Sequence, residues 1–370
     1  MENNNLKNTS WKKYLFPDIF IIKKGFYNKK PENLYNKSDI PFLGATAYNN
    51  GITSFLNIRD IEESSKVGHG KNEPLSKKIF DGNSIAVTNN GSVGHGFYQS
   101  KKFTCSHDIN PLYLKNKKLN KFLGLFLVTS IEQQKVCFEY ARKWRPKRMI
   151  KSHILIPSKD NKPDFSFMEE YANNVYLQKE EVYIKYIKKR LNELKHTNKP
   201  LELEEKKWKE FLLSEVVTIE SGRDIYENER LEGNIPYVSA TANNNGIGYF
   251  VGNKNSTLEK NCLSVNRNGS VGYSFYHPYL ALFSNDCRKL RLKKGDKYVG
   301  LFLSNQITLQ KNKYGYGYKM GTARLKKQKI MLPINEFDNP DFEYMKEYMK
   351  YIELSKLTDY LKYKKIINNL

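Results

Sequence analysis

Asn266-Arg267-Asn268-Gly269-Ser270-Val271-Gly272, with Phe275-Tyr276 just beyond, decides how this chain is built, because the phrase occurs twice. The earlier copy is Thr88-Asn89-Asn90-Gly91-Ser92-Val93-Gly94, followed by Phe97-Tyr98. A segment this polar and glycine-rich has no reason to recur by drift, so the chain reads as one module written two times. An apolar alternation precedes each copy, Ser84-Ile85-Ala86-Val87 and Cys262-Leu263-Ser264-Val265. That pattern predicts strand, tight turn, strand in both modules.

Working outward, Ile40-Pro41-Phe42-Leu43-Gly44-Ala45-Thr46-Ala47-Tyr48-Asn49-Asn50-Gly51 is answered by Ile235-Pro236-Tyr237-Val238-Ser239-Ala240-Thr241-Ala242-Asn243-Asn244-Asn245-Gly246. Each predicts a strand ending in a hairpin at Asn-Asn-Gly. The offset is 195 here (236 minus 41) and 178 at the glycine phrase (269 minus 91), so the first module carries 17 extra residues within 57–83 (195 minus 178). The insert includes Gly68-His69-Gly70-Lys71, lacks the spacing of a phosphate loop and reads as a polar loop. Trp11 and Trp208 open the two modules. Ser106-His107-Asp108 matches Ser284-Asn285-Asp286, and Leu123-Gly124-Leu125-Phe126-Leu127 matches Val299-Gly300-Leu301-Phe302-Leu303 at the start of a short helix. A basic aromatic stretch follows, Tyr140-Ala141-Arg142-Lys143-Trp144-Arg145-Pro146-Lys147-Arg148 in the first module and Tyr314 through Tyr316, Tyr318, Lys319 and Met320 to Arg324 in the second. A strand ending at Pro157 or Pro333 comes next.

Each module closes on a long helix. Pro163-Asp164-Phe165 and Pro340-Asp341-Phe342 are start signals, Asp standing before an apolar periodic run. Ile184, Ile187, Leu191 and Leu194, and then Leu354, Leu357 and Leu361, follow the spacing of a coiled-coil seam. The helices are expected to reach about His196 and Asn368, each about 30 residues or roughly 45 Å. Seams this narrow predict that the two helices pack on each other. The expected division is a module over 1–160, a helix over 161–200, a module over 201–337 and a helix over 338–370.

Composition bounds the function. The 370 residues carry 62 Lys and Arg against 39 Asp and Glu, a net charge of +23. Such a surplus points to a polyanion partner, nucleic acid first among them, and the expected partner is double-stranded DNA on the arguments that follow. Four cysteines without regular spacing read as reduced thiols of a cytoplasmic protein. No secretory signal and no long apolar run is visible. Catalytic patterns are lacking as well. Pro163-Asp164 with Glu204-Glu205-Lys206 mimics a nuclease metal site, but the pairs fall at a helix start and in a linker. Cys105 and His107 with His69 or His95 fit no zinc spacing. The expectation is a non-enzymatic chain without its own cofactor or metal.

Two basic, aromatic-rich modules joined by helices suit the reading of two short DNA segments. Asn and Arg side chains pair with adenine and guanine edges, and Lys and Arg with phosphate. The candidate contacts in the first module are Thr46, Asn49, Asn50, Asn89, Asn90, Ser92, Tyr98, Lys143, Trp144, Arg145 and Arg148. In the second they are Thr241, Asn244, Asn245, Arg267, Asn268, Ser270, Tyr276, Tyr316, Tyr318, Lys319 and Arg324. The glycines themselves read as turn-formers.

The doubled Asn-Gly-Ser-Val-Gly phrase, the basic aromatic stretches, the Leu-Pro or Ile-Pro strand ends and the Pro-Asp-Phe helix openings together resemble the specificity (S) subunits of restriction–modification systems. The likeness is to type I and, more closely, to the type IIB (BcgI-like) kind, and it covers nearly the whole chain from Trp11. It implies two α/β (α+β) target recognition domains and two long helices forming an antiparallel coiled coil with pseudo-twofold symmetry. It also implies a bipartite target and partner methyltransferase or methyltransferase–endonuclease subunits bound largely through the helices, with AdoMet and Mg2+ belonging to those partners. Ile184, Ile187, Leu191, Leu354, Leu357 and Leu361 are then the candidate partner-binding residues. Because Trp144-Arg145-Pro146 stands against Met320-Gly321-Thr322, the two halves are expected to read different sequences. The competing expectation is a scaffold or decoy that sequesters such partners through its helices.

Overall fold

A computed structural model describes residues 4–70, 72–138, 142–315 and 317–365. Lys71, Tyr140, Ala141, Tyr316 and the expected helix end at Asn368 lie outside them. The chain divides into two compact units, Met1–Val182 and Tyr183–Leu370.

In the first unit the strands are β1 (Trp11–Leu15), β2 (Phe20–Ile22), β3 (Ile40–Leu43), β4 (Ile52–Leu56), β5 (Ser84–Thr88), β6 (Gly96–Gln99), β7 (Thr104–Cys105), β8 (Ile109–Leu114), β9 (His153–Lys159) and β10 (Lys162–Pro163). They form a four-stranded sheet in the order β2-β8-β5-β6, a three-stranded sheet β4-β3-β7 and a ribbon β1-β9-β10. Every residue of β5 is buried, as suits a central strand covered on both faces. One core lies between the larger sheet, helix α1 (Lys121–Glu132) and the start of helix α2 (Phe165–Leu194), and includes Phe16, Ile85, Leu112, Leu127, Trp144 and Met168. A second core joins the two sheets through Tyr27, Leu43, Phe80, Phe103 and Ile109.

The second unit repeats this plan with β11 (Trp208–Leu212), β12 (Val217–Ser221), β13 (Ile235–Val238), β14 (Ile247–Val251), β15 (Cys262–Asn266), β16 (Ser274–His277), β17 (Leu282–Phe283), β18 (Cys287–Leu292) and β19 (Lys329–Pro333). Its sheets are β12-β18-β15-β16, β14-β13-β17 and β11-β19. The register repeats as well. Ile85 pairs with Tyr98 and Leu112, and Leu263 pairs with Tyr276 and Leu290. Even the irregularity between Phe42 and Leu43 returns between Tyr237 and Val238.

The helices begin where Asp predicts. Asp164 Oδ1 accepts the Phe167 amide at 3.0 Å, and Asp341 Oδ1 the Tyr344 amide at 3.0 Å. A carboxylate there satisfies a helix-end donor that would otherwise stay unpaired. Helix α3 (Lys297–Leu309) is the counterpart of α1, and α4 (Phe342–Tyr363) closes the chain. Gly124 in α1 and Gly300 in α3 are there for clearance, because a Cβ would stand 2.5 Å from the Tyr98 ring and 2.4 Å from the Tyr276 ring. The helix glycine and the Phe-Tyr pair are thus one packing motif.

Within the second unit, residues 183–194 of α2 pack on α4, and the direction is antiparallel. Tyr183 meets Tyr360, while Arg190, farther along, meets Glu353. Ile187, Leu357 and Leu361 are buried together, with Ile184 and Leu191 against them. This corrects the assignment of Ile187, Leu357 and Leu361 as partner-binding residues, since side chains buried in an internal seam present no surface, while Ile184 and Leu191 are only partly buried by it. Leu354 is half-buried and stands outside that cluster. The seam is also shorter than expected, because the first turns of each helix pack on a module core instead, Met168 and Tyr171 in the first unit and Met345 and Tyr348 in the second.

The insert is not a plain polar loop. It contains a short helix, Ile58–Glu63, and folds around Lys78, which is fully buried. Lys78 Nζ donates to the carbonyls of Ile61, Glu62 and Ser64 at 2.8, 2.9 and 2.8 Å, and to Asn72 Oδ1 at 2.5 Å. Burial lowers its pKa, with Glu62 and Glu73 opposing. Oxygen acceptors make burial of the ammonium tolerable.

Candidate nucleic-acid interface

The loops that carry the candidate residues converge in each unit. Gly91 and Gly269 sit at φ +61° and +59°, where side chains are disfavoured, and Gly91 packs on Ala45 and Gly269 on Ala240. The glycine turn therefore lies against the Ala-Thr-Ala segment. Beside it, Gly51 and Gly246 rest on the rings of Phe97 and Phe275. Asn50 and Asn245 tie the Asn-Asn-Gly turns to the Tyr98 and Tyr276 carbonyls at 3.3 and 3.2 Å. Thr46 and Thr241 accept the amides of Tyr48 and Asn243, both at 3.2 Å. Asn49, Asn50, Asn244 and Asn245 are exposed.

Asn90 and Asn268 play matching structural parts, donating to Asp108 Oδ1 at 3.0 Å and to Asp286 Oδ1 at 3.3 Å. The doubled Ser-His-Asp or Ser-Asn-Asp motif thus anchors the glycine turn. Ser92 accepts a hydrogen bond from Thr88 Oγ1 through its carbonyl, and the Ser270 amide donates to Ala240 O at 3.1 Å.

In the first unit a cleft of about 690 Å³ opens beside this turn. It is lined by Lys24, Asn89, His107, Lys143, Arg145, Pro146, Lys147 and Arg148, with no carboxylate among them. The basic stretch reaches it because Trp144 is anchored beneath. The Trp144 amide donates to Asn89 O at 3.1 Å, and its carbonyl accepts Asn110 Nδ2 at 3.0 Å. Its indole stacks on Phe138 at 4.6 Å, and its Nε1 donates to Ser152 Oγ at 2.9 Å. Arg145, Lys147 and Arg148 are exposed around it, and Arg148 also donates to Lys143 O at 2.8 Å. A concave cationic surface of this kind suits a phosphate backbone.

The geometry corrects four site assignments. Trp144 is completely buried and cannot meet a base. Asn89 is 2% exposed, its amide used on His107 O and Asn110 Oδ1 at 3.1 and 2.9 Å. Tyr98 and Tyr276 are spent on the helix glycines, with hydroxyls on Asn83 Oδ1 at 2.7 Å and Asn261 Oδ1 at 3.4 Å. Conversely, Lys24, His107 and Lys147 line the cleft and were missed. Lys24 and His107 come from segments remote from the basic stretch, and Lys147 was passed over within it.

The second unit presents a different surface on the same frame. Lys319 and Arg324 repeat Lys143 and Arg148, down to Arg324 Nη1 donating to Lys319 O at 2.7 Å. Met320 is buried like Trp144. Gly321 and Ala323 stand where Arg145 and Lys147 do, so two charges are absent. Instead Tyr318, 53% exposed, stacks on Tyr314 at 5.6 Å and lies under the Arg324 guanidinium at 4.0 Å. Arg267 replaces Asn89. Among the described residues no three His, Cys, Asp or Glu side chains are grouped to hold a metal ion. Cys105 is buried, and burial pushes its thiol pKa up.

A doubled specificity frame with a cationic edge defines the class, and the chain belongs to the type I restriction modification DNA specificity domain family, whose model matches residues 8–189 and 205–360. It is a restriction–modification specificity subunit. It is 30% identical over 355 residues to the specificity subunit S.BcgI of a type II restriction enzyme from Heyndrickxia coagulans, covering 95% of this chain and 96% of that one. The crystal structure of a type I restriction–modification S subunit from M. genitalium aligns over 98% of this chain and 93% of its own at 19% identity, with a TM-score of 0.46. That of an HsdS subunit from Thermoanaerobacter tengcongensis aligns over 95% and 90% at 12% identity, with a TM-score of 0.32.

Proposed function

We propose that this chain reads a bipartite, asymmetric double-stranded DNA target, one part per module, and directs a cytoplasmic methyltransferase or methyltransferase–endonuclease to it. The chain performs no chemistry itself, and AdoMet and Mg2+ are held by the partner subunits. One observation carries the reading: strand order and register repeat between the units, while the residues around the glycine turn do not. Asn89 and Arg267, Arg145 and Gly321, and Lys147 and Ala323 are equivalent places filled by different chemistry. A frame held constant around a variable edge is what two different readers need. The partners are expected on the outward faces of the helices, where Leu177 and Val182 remain exposed on α2.

Exchanging the first module for that of another specificity subunit tests this. Methylation mapping of a host expressing the exchanged chain with its partners should show one half of the recognition sequence replaced and the other retained. An unchanged methylation pattern would favour a scaffold or decoy that only sequesters partners.

A further inference from the structure

Arg267 and Arg288 each carry a buried guanidinium nitrogen without a partner among the described residues. Arg267 makes one side-chain ion pair, Nη2 to Asp286 Oδ1 at 3.3 Å, and its buried Nε has no partner among the described residues. Behind it Arg288 is 5% exposed, with Nη1 on the carbonyls of Asn285 and Cys287 at 2.8 and 3.0 Å and its own Nε unpartnered. Burial, and then the neighbouring Arg267 charge, lower the Arg288 pKa.

The first unit shows what the same places look like when closed. There Asn89 and Asn110 stand at the equivalent positions and bond to each other at 2.9 Å, with Asn110 Nδ2 also on the Trp144 carbonyl. That pair is neutral and leaves both amide nitrogens bonded. Buried donors are ordinarily satisfied, so two guanidiniums left short of acceptors, in one module only, mark a place where an acceptor arrives.

We propose that Arg267, held by Asp286 and backed by Arg288, reads a guanine in the half-site of the second module, and that the first module has no equivalent reader. The inference rests on the DNA-reading function proposed above. The acceptor is a base edge for a geometric reason. The Arg267 amide is fixed to Asp286 O at 2.8 Å and its side chain is 28% exposed, so the fork is presented from a rigid strand end. A planar fork in a fixed orientation matches O6 and N7 of guanine. The exposed Arg324 is better suited to phosphate.

The test selects duplexes from a random-sequence library with the full-length chain, wild type, Arg267→Gln and Arg267→Lys. The wild type should select a bipartite sequence with a guanine in one half. Arg267→Gln should reduce discrimination at that one position by roughly 5- to 150-fold, the span of 1–3 kcal/mol for a bidentate contact. Arg267→Lys keeps the charge and loses the fork, so it should lose the guanine preference while keeping the salt dependence of binding. Replacing that guanine by 7-deazaguanine should weaken the wild type and leave Arg267→Gln unaffected. Melting temperatures establish that the variants are folded. Uniform weakening across sequences, with a salt slope lower by about one, would make Arg267 a phosphate clamp and overturn the proposal. A bipartite consensus unaltered in either variant would overturn it too. Absence of any sequence preference in the wild type would instead sink the parent reading.

Discussion

At the foot of the second hairpin His277 is fully buried, with Nε2 2.9 Å from Ser264 Oγ. Burial pulls its pKa down to about 4, so the ring is neutral in the fold at pH 7. In the unfolded chain it protonates near 6.5. Between those values the unfolded state binds more protons, so stability is fully present above about pH 6.5 and falls as the pH drops toward 4. The loss amounts to about 3 kcal/mol at most. The equivalent residue in the first unit is Gln99 (277 minus 178), also buried, with Nε2 on Asn50 O at 3.0 Å. His277→Gln should therefore fold and show a flatter dependence of the urea midpoint on pH between 7 and 4.5. An equally steep decline in the variant would place the acid sensitivity elsewhere.

Helix pairing depends on one polar cluster beside the apolar seam. Arg190 grips Glu353 with two bonds, Nε to Oε1 at 2.9 Å and Nη2 to Oε2 at 3.2 Å, and the Tyr298 hydroxyl joins both at 2.8 and 2.9 Å. Burial raises the Glu353 pKa, but the hydrogen bonds from Arg190 and Tyr298 outweigh it and leave the carboxyl below its ordinary value. Its contribution is thus present above the unfolded carboxylate range and is lost as the pH falls through the depressed value. Glu353→Ala should cost about 1.5–3 kcal/mol, the range for hydrogen bonds to charged groups, read as a lower thermal midpoint at pH 7 and a smaller difference at pH 3. The seam at Ile187, Leu357 and Leu361 was legible from spacing, but its extent was not. Periodicity does not say where a helix leaves a module core and begins to face another helix. Met168 and Met345 look no different in sequence from seam residues, yet both belong to module cores.

Across the molecule, a charge of +23 and a cleft lined by cations predict steep salt dependence. The logarithm of the binding constant for duplex DNA should fall with the logarithm of salt concentration by about 0.9 per phosphate contacted. Filter binding between 50 and 200 mM salt checks this, and a flat profile would contradict a phosphate-based interface. The repeat, its hairpins and the helix starts were all legible in the sequence, because Asn-Gly turns, alternating strands and Asp caps are local signals, whereas the order of the strands in the sheets was not. The cleft was only half legible. Trp144 and Asn89 look like surface chemistry in a polar stretch but are held inside by each other's backbone and by Asn110. Lys24 reaches the same place from a segment more than a hundred residues earlier. Lys78 was hidden in the same way, since nothing local marks one lysine among many as buried.

The anchoring of Trp144 has an optical consequence. The chain holds three tryptophans, and Trp144 is wholly buried while Trp11 is 38% exposed and Trp208 half-buried. Its indole lies in an apolar, stacked setting directly beneath the cations that line the cleft. With Trp11 and Trp208 replaced by Phe, emission from Trp144 alone becomes a label-free gauge of the first module. It stays blue while Arg145–Arg148 are seated, and it shifts red if the segment lifts when DNA is engaged.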